Sequence, residues 1–131
     1  MSRAVSTIEA GALEIAAAAP MLAQVRDWAA INSGSRNLPG LERMAAILAD
    51  AFAALPGPLT LRDPAVPDLG RNLHVAIRPN APVQLLLTGH MDTVYAADHP
   101  FQQVAAIDDK GMMGGPGVAD HRLAGPLERP G

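Results

Sequence analysis

Six residues, Val83-Gln84-Leu85-Leu86-Leu87-Thr88, are almost continuously apolar, and after Gly89 the sequence changes character as His, Asp and Gly become frequent. An uninterrupted apolar run of this kind reads as a central strand covered on both faces, the pattern of sheets buried between layers. That requirement commits the chain to a sheet. Upstream, Leu73, Val75 and Ile77 alternate with His74, Ala76 and Arg78, which predicts a strand over Asn72 to Arg78 with one packed and one wetter face. Pro79-Asn80-Ala81-Pro82 separates the two runs. Four prolines between Pro56 and Pro67 mark an irregular connection with room for a short edge strand around Leu59 to Arg62.

Helices precede the strands. From Thr7 to about Ile31 the chain is rich in Ala, Leu, Glu and Ile, with Leu22, Val25 and Trp28/Ala29 recurring on one helical face. Pro20 breaks or restarts that helix, because proline lacks a backbone donor and clashes with the preceding turn. Asn32-Ser-Gly-Ser-Arg-Asn37 is a loop. A second helix is expected from about Pro39 to Ala54, capped by Asn37, with Leu41, Met44, Ala45, Leu48, Ala51, Phe52 and Leu55 as its buried stripe.

Composition removes several classes of function. The chain has 131 residues, a formal charge of −3 and no long charge runs, so it carries no electrostatic footprint for nucleic acid or an anionic membrane. Gly11 to Val25 is interrupted by Glu14 and Pro20, too short and broken to span a bilayer and a poor signal peptide. A cytoplasmic protein is the expectation. With no Cys, a thiolate zinc finger is excluded and any metal must be held by His and carboxylate.

Two short segments could carry chemistry. Leu87-Thr88-Gly89-His90-Met91-Asp92-Thr93-Val94 places a His and an Asp at i and i+2 past the apolar run, on the same side if the backbone stays extended. The end of a sheet strand is where open α/β folds build their sites. His90 is a candidate zinc ligand, and Asp92 a candidate catalytic support that receives the other imidazole N–H and fixes its tautomer. Alone, such a pair is commonly polar capping of a strand. The second segment, Gly114-Gly115-Pro116-Gly117-Val118-Ala119-Asp120, turns tightly before presenting an acidic residue. Alone, it is commonly just a turn. No phosphate cradle or dinucleotide fingerprint is present. His99 reads as an exposed loop residue and His74 as a structural strand residue.

Taken in order, Gly89-His90-Met91-Asp92-Thr93-Val94 and, 28 residues after Asp92, Gly115-x-Gly117-Val118-Ala119-Asp120 resemble the metal-binding signature of the M20 metallopeptidases, the family of glutamate carboxypeptidases, acetylornithine deacetylases and related amidohydrolases. Ile31-Asn32-Ser33-Gly34-Ser35, followed by Gly40-Leu41, looks like the family's opening segment, so the resemblance spans roughly residues 20 to 120. It implies that His90 binds one of two zinc ions, that Asp120 bridges both, and that Asp92 supports His90. It also implies zinc-dependent hydrolysis of an amide bond in a small peptide, an N-acyl amino acid or a folate-like conjugate. In the family the catalytic domain carries an inserted dimerisation domain, which gives a homodimer.

The pattern stops at Asp120. The family continues with a Met-Lys-Gly-Gly-like stretch opening a long helix, whereas here residues 121–131 contain Pro126 and Pro130 and read as a divergent, disordered tail. The family's general-base Glu, its adjacent Glu ligand, a further acidic ligand, its last His and its dimerisation domain have no counterpart. His90 and Asp120 are too few donors for a dinuclear site, since zinc takes three or four. His121 is a poor substitute, because successive residues rarely point the same way. The expected architecture is therefore α/β: N-terminal helices followed by a mixed or parallel sheet, over residues 1–120, forming the incomplete half of a zinc-peptidase catalytic domain. The expected function is that of the family, in a truncated chain. The alternative is a non-catalytic remnant or a small binding module.

Overall fold

A computed structural model describes residues 6–118. Ser6 opens the first helix, α1 (Thr7–Ala18), through a reciprocal capping box: its hydroxyl accepts from the Glu9 amide at 3.2 Å while the Glu9 carboxylate accepts from the Ser6 amide at 2.7 Å. The break expected at Pro20 is present. α1 ends at Ala18, α2 (Met21–Ala29) starts beyond the proline, and the two axes bend by 48°. None of the helices among the described residues is by itself long and apolar enough to cross a membrane. On α2, Val25, Trp28 and Ala29 are half-buried, while Leu22 is exposed.

The third helix, α3 (Leu38–Phe52), starts as the sequence predicts, with the Asn37 side chain accepting from the Gly40 amide at 3.2 Å and Pro39 in the first turn. Its apolar stripe is buried only in the first half. Leu41, Met44 and Ala45 are buried and Leu48 is half-buried, but Ala51, Phe52 and Leu55 are exposed. Gly40 permits this helix to start close beneath the preceding loop, since a Cβ there would lie 1.9 Å from the Asn32 carbonyl oxygen.

Two short strands, β1 (Leu59–Arg62) and β2 (Asn72–Val75), form an antiparallel pair in which Leu59 faces Val75 and Leu61 faces Leu73. These four apolar residues alternate inward with the polar ones outward, and the hairpin packs on α3. Arg71, just before β2, is paired with Glu42 on α3 and holds the Glu42 carboxyl below its ordinary range. The chain is thus mixed α/β: three helices and a two-stranded antiparallel sheet among the described residues.

Two strand expectations differ from the structure. The alternating strand ends at Val75 rather than Arg78. Arg78 has φ of +48°, in the left-handed region that a strand cannot continue through. The run Val83–Thr88 forms no strand: Val83, Leu85, Leu86 and Leu87 are each at least 83% exposed. A covered central strand needs hydrogen-bonding neighbours and layers on both faces, and none of the described elements supplies them. Instead, a cleft of about 810 Å³ lies between this run, the C-terminal half of α3 and β2.

Candidate functional site

The segment after the apolar run is held by polar bonds to the loop between α2 and α3. The Thr93 amide donates to the Ser33 carbonyl at 2.9 Å and the Ser35 amide to the Thr93 carbonyl at 3.0 Å, which makes a single parallel bridge of Gly34 with Thr93. Asn32 adds side-chain bonds. Its Nδ2 donates toward the Tyr95 and Ala96 carbonyls at 3.1 and 3.2 Å and to Gln102 Oε1 at 2.9 Å, while its Oδ1 accepts from the Gly34 amide at 3.1 Å and from Asn37 Nδ2 at 2.8 Å. Gln102 in turn donates to the Ala96 and His99 carbonyls. Contact here is so close that a Cβ on Gly34 would lie 2.4 Å from the Tyr95 carbonyl oxygen. Ser33, at the centre, is 1% exposed. We refer to this arrangement as the clamp.

The clamp presents His90 and Asp92. His90 Nδ1 lies 2.9 Å from the Asp92 carbonyl oxygen and 3.3 Å from Asp92 Oδ1, two groups that only accept. Nδ1 therefore carries the hydrogen, and Nε2 carries the lone pair that a metal would use. The other carboxylate oxygen, Oδ2, accepts from the Ser35 hydroxyl at 2.6 Å, a short charge-assisted bond. This bond lowers the Asp92 pKa below its ordinary value, and the neighbouring His90 contributes in the same direction. The side chains of His90 and Asp92 are 58% and 44% exposed, so the pair is accessible.

The second segment lies against the first. Pro116 and Gly117 share a cavity of about 250 Å³ with His90, Asp92, Trp28 and Met44. A Cβ on Gly117, whose φ is +75°, would be 3.4 Å from Thr93 Cγ2. Met113 and Val118 are buried, which anchors the turn, and the Ala105 amide donates to the Gly114 carbonyl at 2.7 Å. Thr93 Oγ1, beside this turn, is buried with no hydrogen-bond partner among the described residues. Asp120, and with it the tail over 121–131, lies outside the described residues.

His99 is exposed, its Nδ1 accepts from the Phe101 amide at 3.0 Å, and its ring packs on Tyr95, which also meets Phe101 edge-on at 4.9 Å between centroids. His74 sits on the outward face of β2.

Among the described residues the donor set fits one zinc ligand and not a whole site. His90 has the tautomer and the orienting carboxylate of a metal-binding histidine. Among the described residues, however, no group of three His, Asp or Glu side chains could hold a metal ion. Sequence reasoning assigned no role to Ser35 or Asn32. The signal lay in the polar Asn32-Ser-Gly-Ser35 stretch between two helices, small residues able to bring backbones together and supply donors. Comparison with known protein families, curated proteins and solved structures finds no match to this chain.

Proposed function

We propose that the chain carries the first part of a zinc-dependent hydrolase site that cleaves an amide bond in a small peptide or N-acyl amino acid. One observation carries this reading: Pro116 and Gly117 of the glycine-rich turn and the His90–Asp92 segment, distant in sequence, line one cavity. The turn immediately precedes Asp120. In this reading His90 Nε2 and the Asp120 carboxylate are zinc donors, and Asp92 holds the His90 ring. Zinc, when bound, would supply Lewis acidity toward the amide carbonyl and lower the pKa of water toward neutrality. The residues themselves orient the imidazole and keep its proton on Nδ1.

The resemblance to the M20 metallopeptidases supports the same assignment. It further proposes that residues 1–120 belong to a zinc-peptidase catalytic domain with a mixed or parallel sheet. The bare Val83–Thr88 run is the edge on which such a sheet would grow, and the parallel bridge of Gly34 with Thr93 agrees with that polarity. A cytoplasmic location, a second zinc ion and a homodimeric parent belong to this reading as well.

A second reading is favoured by the carboxylates. None of the described glutamates lies in the site: Glu9 caps α1, Glu42 pairs with Arg71, and Glu14 is exposed on α1. In this second reading the chain is a non-catalytic binding module, because amide hydrolysis calls for a general base and no described glutamate stands at the site. Calorimetric titration with zinc tests the first reading. Stoichiometric uptake abolished by His90→Ala and by Asp120→Ala is expected. Failure to bind zinc, or binding indifferent to both substitutions, would sink it. Amide hydrolysis by the zinc-loaded chain, present or absent, then separates enzyme from binding module.

A further inference from the structure

We propose that Ser35 is a positioning residue that fixes the Asp92 carboxylate and, through it, holds His90 in the Nδ1–H tautomer. A carboxylate at the surface ordinarily rotates about its last torsion, a broad and nearly two-fold motion. Here the two oxygens are given different tasks. Oδ2 accepts from Ser35 Oγ at 2.6 Å, and this leaves Oδ1 turned toward His90 Nδ1 at 3.3 Å. Asp92 also offers its own carbonyl to the same ring nitrogen at 2.9 Å. Both acceptors therefore converge on Nδ1 only while the carboxylate keeps its orientation, and a neutral imidazole with its hydrogen on Nδ1 has its lone pair on Nε2.

The position of the hydroxyl is set by backbone. The Ser35 amide donates to the Thr93 carbonyl and the Thr93 amide donates to the Ser33 carbonyl, so residues 33–35 and 93 are locked in register one residue beyond Asp92. Ser35 Oγ also lies 3.3 Å from the Thr93 carbonyl, but a hydroxyl has one hydrogen, and the shorter bond to an ionised acceptor takes it. A side chain 57 residues away in sequence thus bears, through Asp92, on which nitrogen of His90 carries the hydrogen.

The purpose of this arrangement rests on the zinc reading, but the arrangement can be measured without metal. Long-range proton–nitrogen correlation spectra of the 15N-labelled, metal-free full chain, recorded at a pH where imidazole is neutral, report the ratio of Nδ1–H to Nε2–H tautomers of His90. Losing one hydrogen bond is worth about a fivefold change in such a ratio. Ser35→Ala is expected to lower the ratio by about that factor, and Ser35→Thr to restore it. Ser35→Val, which has the shape of Thr without the hydroxyl, is expected to behave as Ala. In an Asp92→Ala background, Ser35→Ala is expected to add nothing, because its effect passes through Asp92. An unchanged ratio in Ser35→Ala, or an equal change in the Asp92→Ala background, overturns the proposal. The Thr93 amide shift, which reports the backbone bonds of the clamp, verifies folding in each variant. If the wild-type chain takes up no zinc while the tautomer responds to Ser35, the positioning role stands and the hydrolase reading falls. If zinc binds through His90 while the tautomer ignores Ser35, the positioning role falls alone.

Discussion

His90 separates two stretches of similar length and opposite physics. Before it, Val83–Thr88 presents four aliphatic side chains, each at least 83% exposed, with no strand partner among the described residues. After it, Asp92–Ala96 is tied to residues 32–37 by backbone and side-chain hydrogen bonds, of which the one from Asn32 Nδ2 to the Tyr95 carbonyl is part-buried. Fully burying one such aliphatic side chain is worth roughly 1.5–3 kcal/mol, so the four together leave roughly 6 kcal/mol or more of burial unrealised. That is comparable to the whole net stability of an ordinary domain. The hydrophobic stretch is therefore the loose one, and the site is ordered by polar bonds spanning some sixty residues of sequence. Apolar character states what a segment requires, whereas order follows from which partners are present.

The largest expected effect comes from wedging the clamp apart. Gly40→Ala places a methyl 1.9 Å from the Asn32 carbonyl, where only backbone can give way, and is expected to cost about 3 kcal/mol or more in urea unfolding. A Gly40→Ala chain as stable as wild type would mean that α3 does not start beneath the loop as described.

Next comes a paired truncation across the comparison. Leu41→Ala removes a side chain that is 4% exposed and is expected to cost about 3 kcal/mol. Leu86→Ala, at a position 83% exposed, is expected to change stability by less than about 0.5 kcal/mol. Equal losses in thermal melts of the two variants would show that the apolar run is covered after all.

Asn32→Ala removes the side chain that bridges three elements of the clamp. Since one net hydrogen bond is worth about 1 kcal/mol and several are lost, a destabilisation of about 2 kcal/mol is expected. It should be accompanied by shifts at the Tyr95 and Ala96 resonances and by none at Leu85–Leu87. Resonances that move together in both stretches would break the comparison.

The smallest effect is on acid stability. Asp92, Glu42 and Glu9 all have lowered pKa values, through hydrogen bonds from Ser35, Arg71 and Ser6 respectively. A carboxylate lowered in the folded state contributes stability that is fully present above its unfolded value of about 4, and that is lost as pH falls through the folded value. The melting temperature should therefore hold from neutrality to about pH 5 and decline below it. All three groups are substantially solvent-exposed or screened, so the decline is modest. Ser35→Ala should make it smaller still, and a steeper decline in that variant would contradict the Asp92 assignment.

Much of the helical layout was legible because its signals are local. Pro20 breaks the first helical stretch, Asn37 and Pro39 start α3, and the alternation at Leu73 and Val75 marks β2 within a few residues. The end of β2 was not legible, since nothing in the side chain of Arg78 announces its positive φ. Val83–Thr88 was expected as a covered strand because periodicity registers hydrophobicity without registering the neighbours that cover it. His90 and Asp92 stood out through their spacing. The roles of Ser35 and Asn32 did not, because each acts on residues far away in sequence, and no periodic pattern encodes such a contact.

The contrast between the two stretches is tested most directly by amide hydrogen exchange, residue by residue, across residues 83–96. The account predicts that the Thr93 and Ser35 amides, donors to the Ser33 and Thr93 carbonyls, exchange far more slowly than those of Leu85, Leu86 and Leu87. Protection of Leu85–Leu87 equal to or greater than that of Thr93 would contradict it, by placing the apolar run in a paired strand and leaving the clamp as the looser part.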